Sequence, residues 1–373
     1  MPATLNRRML NVGIDAGPLH GHRTGVGNAV AWTIEALTDP AADLADINLL
    51  PYVTSMRARV DKYERRLPIP AALAMRLWAH RSPRFDRLLG SPDLVHGTNY
   101  VVPPTACPRL ISVYDCWFLE HRDEALPDVR RAGDVLRHAV ADGAHVVTSS
   151  ESTAGRVREL LSTDRVQSIH LGPPPHIDAE TTRPSSLPDF GDDPFILALG
   201  TLERRKNLPT LIAAFGRLAR EHPNSRLIVA GAIGDDLKPI SQAIAMLDAS
   251  TAQRVTRLGQ VDKATKSWLL RNARALAYPS LDEGFGFPIL EAQQVGTPVV
   301  ASTAGSIPEV AGTGALLSTP HDSEALAANL HWVLTSDEMH AKLVRRGHTN
   351  LGRFSWANTA DELAATYREL AKA

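Results

Sequence analysis

Cysteine is nearly missing from this chain. Cys107 and Cys116 are the two in 373 residues, which excludes a disulfide scaffold and a Cys-rich zinc site and makes a reducing cytoplasm the expected setting. Nowhere is there an uninterrupted apolar run of the roughly 18 residues that a membrane-spanning helix needs. The start, residues 1–9, is polar and carries Arg7 and Arg8. The apolar stretch after it is broken by Asp15 and Gly17 before reaching signal-peptide length. Charge of one sign is also lacking: 40 Lys and Arg stand against 41 Asp and Glu, a net charge of −1, so nothing global argues for nucleic acid as a partner. The P-loop signature GK[ST] is absent. The one paired-glycine loop near the start, Thr24-Gly25-Val26-Gly27-Asn28, has Val30 where a GxGxxG dinucleotide fingerprint needs its last glycine.

What is present is the composition of an ordinary globular enzyme, 44% hydrophobic and 22% charged. At roughly 150 residues per domain the length implies two or three domains, with a cleft as the place for a ligand. Apolar runs at 10–15, 47–52, 94–96, 109–114 and 145–149 read as short buried strands with helical stretches between several of them, one at 28–37. Six prolines between 171 and 194, Pro173 first and Pro194 last, mark an interdomain linker at 173–194. Beyond it, strands at 195–199, 226–230, 255–258, 275–278 and 298–301 alternate with helices at 208–221, 264–272 and 289–295. Strand and helix alternation in both halves implies parallel sheets covered by helices. The domains expected are therefore 1–172, the linker 173–194, and 195–354. An amphipathic helix within 355–373 is free to pack back on the N-terminal domain.

The most informative stretch is Asp282-Glu283-Gly284-Phe285-Gly286-Phe287-Pro288-Ile289-Leu290-Glu291, just past a buried strand. Pro288 suits the first turn of a helix, which places Gly284 and Gly286 at its N-terminus, where backbone N–H groups and the helix dipole favour an anion or sugar hydroxyls. Glu291 falls about one turn inside. A glycine turn with two solvated glutamates fits the same spacing. Adjacent Arg205 and Lys206 follow another strand end. A cation pair before a helix opposes the dipole unless an anion sits there, although a solvated helix start is the plainer alternative.

Glu283 and Glu291 with the intervening Gly-Phe-Gly-Phe-Pro resemble the E-x7-E signature of retaining glycosyltransferases of family 4, which have the GT-B fold. Gly200-Thr201-Leu202-Glu203-Arg204-Arg205-Lys206-Asn207, Arg257-Leu258-Gly259-Gln260-Val261 and Gly305-Ser306-Ile307-Pro308-Glu309 resemble further segments of that family in order and spacing over 195–334. The resemblance implies an α/β fold of two Rossmann-like domains facing each other across a cleft. It implies that Arg205 and Lys206 grip the diphosphate of a nucleotide-sugar, whose developing charge must be stabilised as the glycosidic bond breaks. Glu283, Gly284, Phe285 and Gly286 would then contact the donor sugar, and Glu291 the ribose hydroxyls. Thr201, Gly259, Val261 and Ile289 join the substrate-binding set on the same ground. In the N-terminal half the resemblance is looser. Gly25 and Gly27 match a T-G-x-G loop that closes over donor phosphates and acceptor, and a tight strand-to-helix turn explains them equally. His96, in Leu94-Val95-His96-Gly97-Thr98-Asn99, matches a strand-end histidine, or is a structural one. Asp115 and His121 match an H-D-x5-H segment in which Tyr114 stands where His is usual.

No two aspartates are separated by one residue, so the D-x-D metal signature of the other large glycosyltransferase fold is missing. The resemblance thus implies no metal and no cofactor, with Arg205, Lys206 and helix-terminus amides supplying positive charge. Glu283 and Glu291 would position the donor, neither needing to be a glycosidase-type nucleophile. The donor expected is GDP-mannose and the acceptor a glycan or lipid-linked glycan. The alternatives are another GT-B enzyme, such as a sugar-nucleotide epimerase or glucan synthase, and a non-catalytic sugar-nucleotide-binding protein. Between 55 and 90, nine Arg or Lys face three Asp or Glu, interleaved with apolar residues. Such a surface suits peripheral contact with an anionic membrane at its inner face, and a solvated basic face explains it too.

Overall fold

The computed structural model describes residues 8–21, 23–60, 62–80, 84–175 and 181–372. The expectations for the first seven residues, for Asp61 and 81–83 of the basic stretch and for 176–180 of the proline-rich stretch lie outside the described residues. Among the described residues no helix is long and apolar enough to cross a membrane.

The chain divides into two compact units, one of residues 1–172 with 355–373 and the other of 173–354. In the first, β1 (Leu10–Asp15), β2 (Ile47–Thr54), β3 (Arg65–Leu67), β4 (Leu94–Gly97), β5 (Arg109–Val113), β6 (His145–Thr148) and β7 (Val166–Ser168) form a parallel sheet in the order β3-β2-β1-β4-β5-β6-β7. Its central strands are covered on both faces and so read as continuous apolar runs; every residue of β4 and β5 is buried. The missed strands β3 and β7 are three-residue edges with little apolar signal. Helix Trp356–Leu370 completes this unit, burying Ala360, Leu363, Ala364, Tyr367 and Leu370 in one cluster with Val12, Ile14, Leu94 and Leu110.

In the second unit, β8 (Phe195–Leu199), β9 (Arg226–Ala230), β10 (Val255–Gly259), β11 (Ala275–Tyr278), β12 (Val299–Ser302) and β13 (Ala315–Ser318) pair in parallel in the order β10-β9-β8-β11-β12-β13. Helix Leu208–Glu221 packs its apolar stripe, Leu211, Ile212, Phe215 and Leu218, on one face. Ile289 and Ala292 of helix Phe287–Gln294 cover the other.

Two expectations change here. Residues 24–28 are not a loop ahead of a helix. Helix Gly25–Leu37 begins within them, because Thr24 caps it by accepting the Gly27 N–H at 3.4 Å. The described part of the proline-rich stretch is not a bare tether either. Proline blocks ladder hydrogen bonds but not side-chain burial: Leu187 belongs to the second unit's core, and Arg183 donates to the carbonyls of Leu187 and Pro188.

Candidate functional site

The carboxyl edge of the second sheet gathers most of the charged motif residues. After β8 the chain passes Gly200 and half-buried Thr201 into a single 3-10 turn, Arg204–Lys206. Asn207 ends that turn in the left-handed region, φ 54°, a conformation asparagine tolerates better than most side chains. Its amide donates to the carbonyls of Pro279 at 3.0 Å and Pro320 at 2.6 Å, and its carbonyl accepts the Thr210 hydroxyl at 2.7 Å. The turn is thereby fastened to the loop following β11, and the Leu281 N–H donates to the Arg205 carbonyl at 2.7 Å.

This places Glu283, 6% exposed, against both cations. Arg205 donates to its Oε2 at 2.8 Å and Lys206 to its Oε1 at 2.5 Å. Arg205 also donates to Glu203 at 2.9 Å, and Lys206 to the Tyr278 hydroxyl at 3.2 Å. Burial pushes the Glu283 carboxyl up, but the adjacent charges of Lys206 and Arg205 outweigh it and hold the group at about 2. It is therefore ionised at neutral pH, able to accept hydrogen bonds or offset positive charge and unable to act as a proton donor.

Gly286 caps helix Phe287–Gln294 at φ 103°, with Pro288 in the first turn. Glu291, one turn in and 6% exposed, accepts from Lys266 at 2.6 Å. Burial, followed by the negative charge of Glu283, pushes the Tyr278 phenol well above its usual range, and Glu291 acts in the same direction. Tyr278 is thus within electrostatic reach of both carboxylates. The loop itself is fixed by the Gly305-Ser306 pair. The Ser306 N–H donates to the Glu283 carbonyl at 2.9 Å and its hydroxyl to the Phe285 carbonyl at 3.0 Å. A Cβ on Gly305 would stand 2.5 Å from the Asp282 carboxylate.

Two expected contacts need correction. Phe285 packs edge-on against Phe287 and Phe354, with ring centroids 5.2 and 5.8 Å apart, and Ile289 is wholly buried in the core. Their side chains are committed to packing, so only their backbones are available to a ligand. Gly259, φ 71°, ends β10 and accepts the Gly231 N–H at 2.8 Å, while Val261 packs beside the core. Three contributors were missed. Asn207 lay inside a recognised segment, Tyr278 ended a recognised strand, and Lys266 carried no signal, since its pairing with Glu291 arises only when two helices pack.

Residues 180–349 match the family described as Glycosyl transferases group 1. The chain is 28% identical over 290 residues to O-antigen chain mannosyltransferase B of Escherichia coli, covering 74% of each chain. It is 30% identical over 239 residues to D-inositol 3-phosphate glycosyltransferase of Segniliparus rotundus, covering 61% of this chain and 53% of that one. Among solved structures it resembles Anabaena HepE in complex with UDP and glucose, with TM-score 0.68, 17% identity, and 96% of this chain and 100% of that one covered. The chain is a GT-B-fold glycosyltransferase.

The remaining expected residues of the glycosyltransferase lie in its first unit. His96 is 1% exposed, with Nδ1 at 2.7 Å from the Tyr367 hydroxyl and Nε2 at 2.8 Å from Ser112 Oγ. Burial lowers its pKa to about 3, so it is neutral. Both nitrogens are engaged by the protein, and the ring joins β4 and β5 to the C-terminal helix, so His96 is a structural histidine and leaves the substrate-binding set. Asp115 and His121 stay half-exposed. Asp115 accepts the Tyr100 hydroxyl and the Trp117 N–H, each at 3.2 Å. His121 closes the one-turn helix Trp117–Glu120 with its ring stacked 3.7 Å from that of Trp117. Gly25 has open space around it, whereas a Cβ on Gly27 would stand 2.8 Å from the Pro18 carbonyl. Gly27 thus has a packing reason and Gly25 does not.

Proposed function

We propose that the enzyme transfers a hexose with retention of configuration from a nucleotide-diphosphate sugar to a hydroxyl of a glycan or lipid-linked glycan, as a member of glycosyltransferase family 4. GDP-mannose is the favoured donor. The observation that carries this reading is the pairing of half-buried Arg205 and Lys206 with buried Glu283 beside a glycine-capped helix N-terminus. Arg205 and Lys206 take the diphosphate and neutralise the charge that develops as the glycosidic bond breaks, the role a metal plays in D-x-D enzymes. Glu283, ionised throughout, accepts a donor-sugar hydroxyl. Glu291, aimed by Lys266, receives the ribose hydroxyls, and the backbone of Gly284, Phe285 and Gly286 lines the sugar. Thr201, Gly259 and Val261 flank the nucleotide. Asp115, His121 and Gly25 serve the first unit's side of the reaction. The names of a mannosyltransferase relative and of a neighbour holding UDP and glucose support the substrate class.

The test is a thermal-shift series with GDP-mannose, UDP-glucose, GDP and UDP without added metal, followed by NMR of the product anomer. Selective stabilisation by the guanine nucleotides, reduced in Lys206→Ala and Glu291→Ala, with the donor configuration kept in the product, supports the reading. Stabilisation by uridine nucleotides replaces the donor, an inverted anomer overturns retention, and binding without turnover under any acceptor points to a non-catalytic protein. Sugar-nucleotide isomerisation or a linear homopolymer would point to an epimerase or a glucan synthase.

The same proposal places the enzyme in the cytoplasm at an anionic membrane face. Met56, Tyr63, Leu73, Leu77 and Leu88 are 52, 73, 46, 37 and 51% exposed among exposed Arg57, Arg59, Lys62, Arg65, Arg66, Arg76 and Arg87, a mixture that suits a negatively charged interface. Sedimentation with phosphatidylglycerol vesicles checks it. Binding should fall when Arg57, Arg59, Arg65 and Arg66 become Ser, and wild-type protein left in the supernatant would end the idea.

A further inference from the structure

Helix Leu208–Glu221 starts beside the Arg205–Lys206 turn and spans 14 residues, so its far end lies about 20 Å from that turn. Glu221 closes the helix and His222 caps it. Helix Ser323–Thr335, which carries His331, packs against it through a shared cluster of Leu211, Phe215, Leu218, Leu330 and Val333. At the far end three side chains meet. His222 Nε2 stands 3.0 Å from His331 Nδ1, and His331 Nδ1 stands 3.1 Å from Glu221 Oε2. One ligand atom from each of the three lies within 4.8 Å of the other two, the histidines half-buried and Glu221 exposed. The two histidines are 109 residues apart in sequence, so the packing of the two helices is what brings them together.

Two features of this cluster point to a cation. An imidazole nitrogen carries one proton at most, so His331 Nδ1, facing a ring nitrogen and a carboxylate oxygen at contact distance, serves only one of them fully. A metal ion accepts a lone pair from each. Glu221 is also the last residue of its helix, where the negative end of the dipole disfavours a carboxylate unless positive charge stands beside it. The spacing fits as well. Two ligand atoms each about 2.0–2.1 Å from a tetrahedral zinc ion stand about 3.3 Å apart, so separations of 3.0 and 3.1 Å need to open only slightly. The main chain behind both histidines is fastened in advance. The His222 carbonyl accepts the Ser225 hydroxyl at 2.8 Å and Arg254 at 3.1 Å, and the His331 carbonyl accepts the Thr335 hydroxyl at 2.9 Å. Arg254 directs its guanidinium at the carbonyls of Ala219, His222 and Ser225 and at the Thr251 hydroxyl.

We propose that Glu221, His222 and His331 form a binding site for a zinc-type dication, with water completing its coordination, that clamps helix Leu208–Glu221 to helix Ser323–Thr335. The donor set selects the ion. Two imidazoles and one carboxylate suit Zn²⁺ and related first-row transition ions, whereas Mg²⁺ and Ca²⁺ take oxygen ligands. At about 20 Å from Arg205 and Lys206 the ion takes no part in sugar transfer. It stabilises the folded second unit instead, because the unfolded chain does not hold the three ligands together. The proposal is independent of which donor or acceptor the enzyme uses.

Calorimetric titration of Zn²⁺ into the untagged, metal-stripped full chain, paired with thermal melts, tests it. One ion per chain should bind and raise the melting temperature of the second unit, and Mg²⁺ at the same concentration should do neither. His222→Ala and His331→Ala should each weaken zinc by no less than the roughly 10–100-fold that loss of an outer-shell partner costs a metal site. Glu221→Gln, an exposed change that keeps the side-chain shape, should weaken it as well. His138→Ala, on helix Pro127–Ala141 of the first unit, should bind zinc as wild type does. Because the two histidines touch each other, the quantity compared is the rise in melting temperature that zinc adds, which separates loss of the metal from any cost to the metal-free fold. Zinc that neither binds wild type saturably nor shifts its melt would overturn the proposal. So would wild-type affinity in the His222→Ala/His331→Ala double variant, or Mg²⁺ binding as tightly as Zn²⁺.

Discussion

Each unit buries a carboxylate at the carboxyl edge of its sheet, Glu283 ion-paired with two cations and Asp15, among the described residues, with no ion pair of its own. Burial alone pushes both carboxyls up. For Asp15 it prevails, taking the group from 3.8 to about 6, while for Glu283 the neighbouring Lys206 and Arg205 reverse it, taking the group from 4.5 to about 2. The lesson is that the same doubly wound scaffold is tuned by which charges its loops deliver. One edge sets its carboxylate against two cations, and the other leaves burial to dominate.

The comparison can be broken at the level of the fold. The first unit depends on a segment from the far end of the chain, so removing 355–373 should abolish its cooperative folding and leave the second unit's transition intact. Leu363, Tyr367 and Leu370 are each worth about 1.5–3 kcal/mol of burial, and a two-transition melt reduced to one checks the outcome. Next in size is the charged edge. Glu283→Gln keeps the shape but removes the anion between Arg205 and Lys206, and kcat should fall about 10²–10³-fold, as read by initial rates at saturating donor. Asp15→Asn should change kcat far less.

A pH series sharpens the contrast through its sign. Between about 2 and 4.5 the unfolded chain binds the proton that folded Glu283 does not, so this group's contribution to stability grows with pH and is lost as pH falls through about 2. Between about 3.8 and 6 it is folded Asp15 that keeps a proton the unfolded chain has released, so its contribution is lost as pH rises. His96, lowered from 6.5 to about 3, works against Asp15 over that window, since the unfolded chain takes up the proton. Each group that titrates alone contributes about 1.4 kcal/mol per pH unit. Melting curves at pH 4 to 7 should therefore show stability rising more steeply with pH in Asp15→Asn than in wild type, and an unchanged slope would contradict the buried setting of Asp15. The smallest effect separates the paired glycines. Gly27→Ala should lower the melting temperature because of the Pro18 carbonyl, whereas Gly25→Ala should leave it level or raise it by up to about 1 kcal/mol equivalent while slowing transfer.

How far these features could be read in advance follows from range. Strands β8, β9 and β11 and helix Leu208–Glu221 stand at the boundaries their apolar patterns predict, because a strand covered on both faces announces itself through local composition. Pro288 and Gly286 likewise encode their own cap. The Arg205, Lys206 and Glu283 segments were recognisable as motifs, yet their mutual contact depends on Asn207 tying two loops together across 72 residues of sequence. Phe285, Ile289 and His96 show the opposite failure. Each sits in a motif, and only three-dimensional packing reveals that its side chain is enclosed.

The sequence by itself determined the alternation of strands and helices, the helix caps and the residue types at the sheet edges, since those rest on backbone preferences and hydrophobic periodicity over a few residues. Tertiary structure decided which charges meet. It set Glu283 between two cations, gave Glu291 to Lys266, closed His96 between Ser112 and Tyr367, and left Tyr52 and Trp78 unpartnered at a cavity wall. Electrostatic and hydrogen-bond energies fall off within a few ångströms and depend on burial. They are fixed only once distant segments have been packed together.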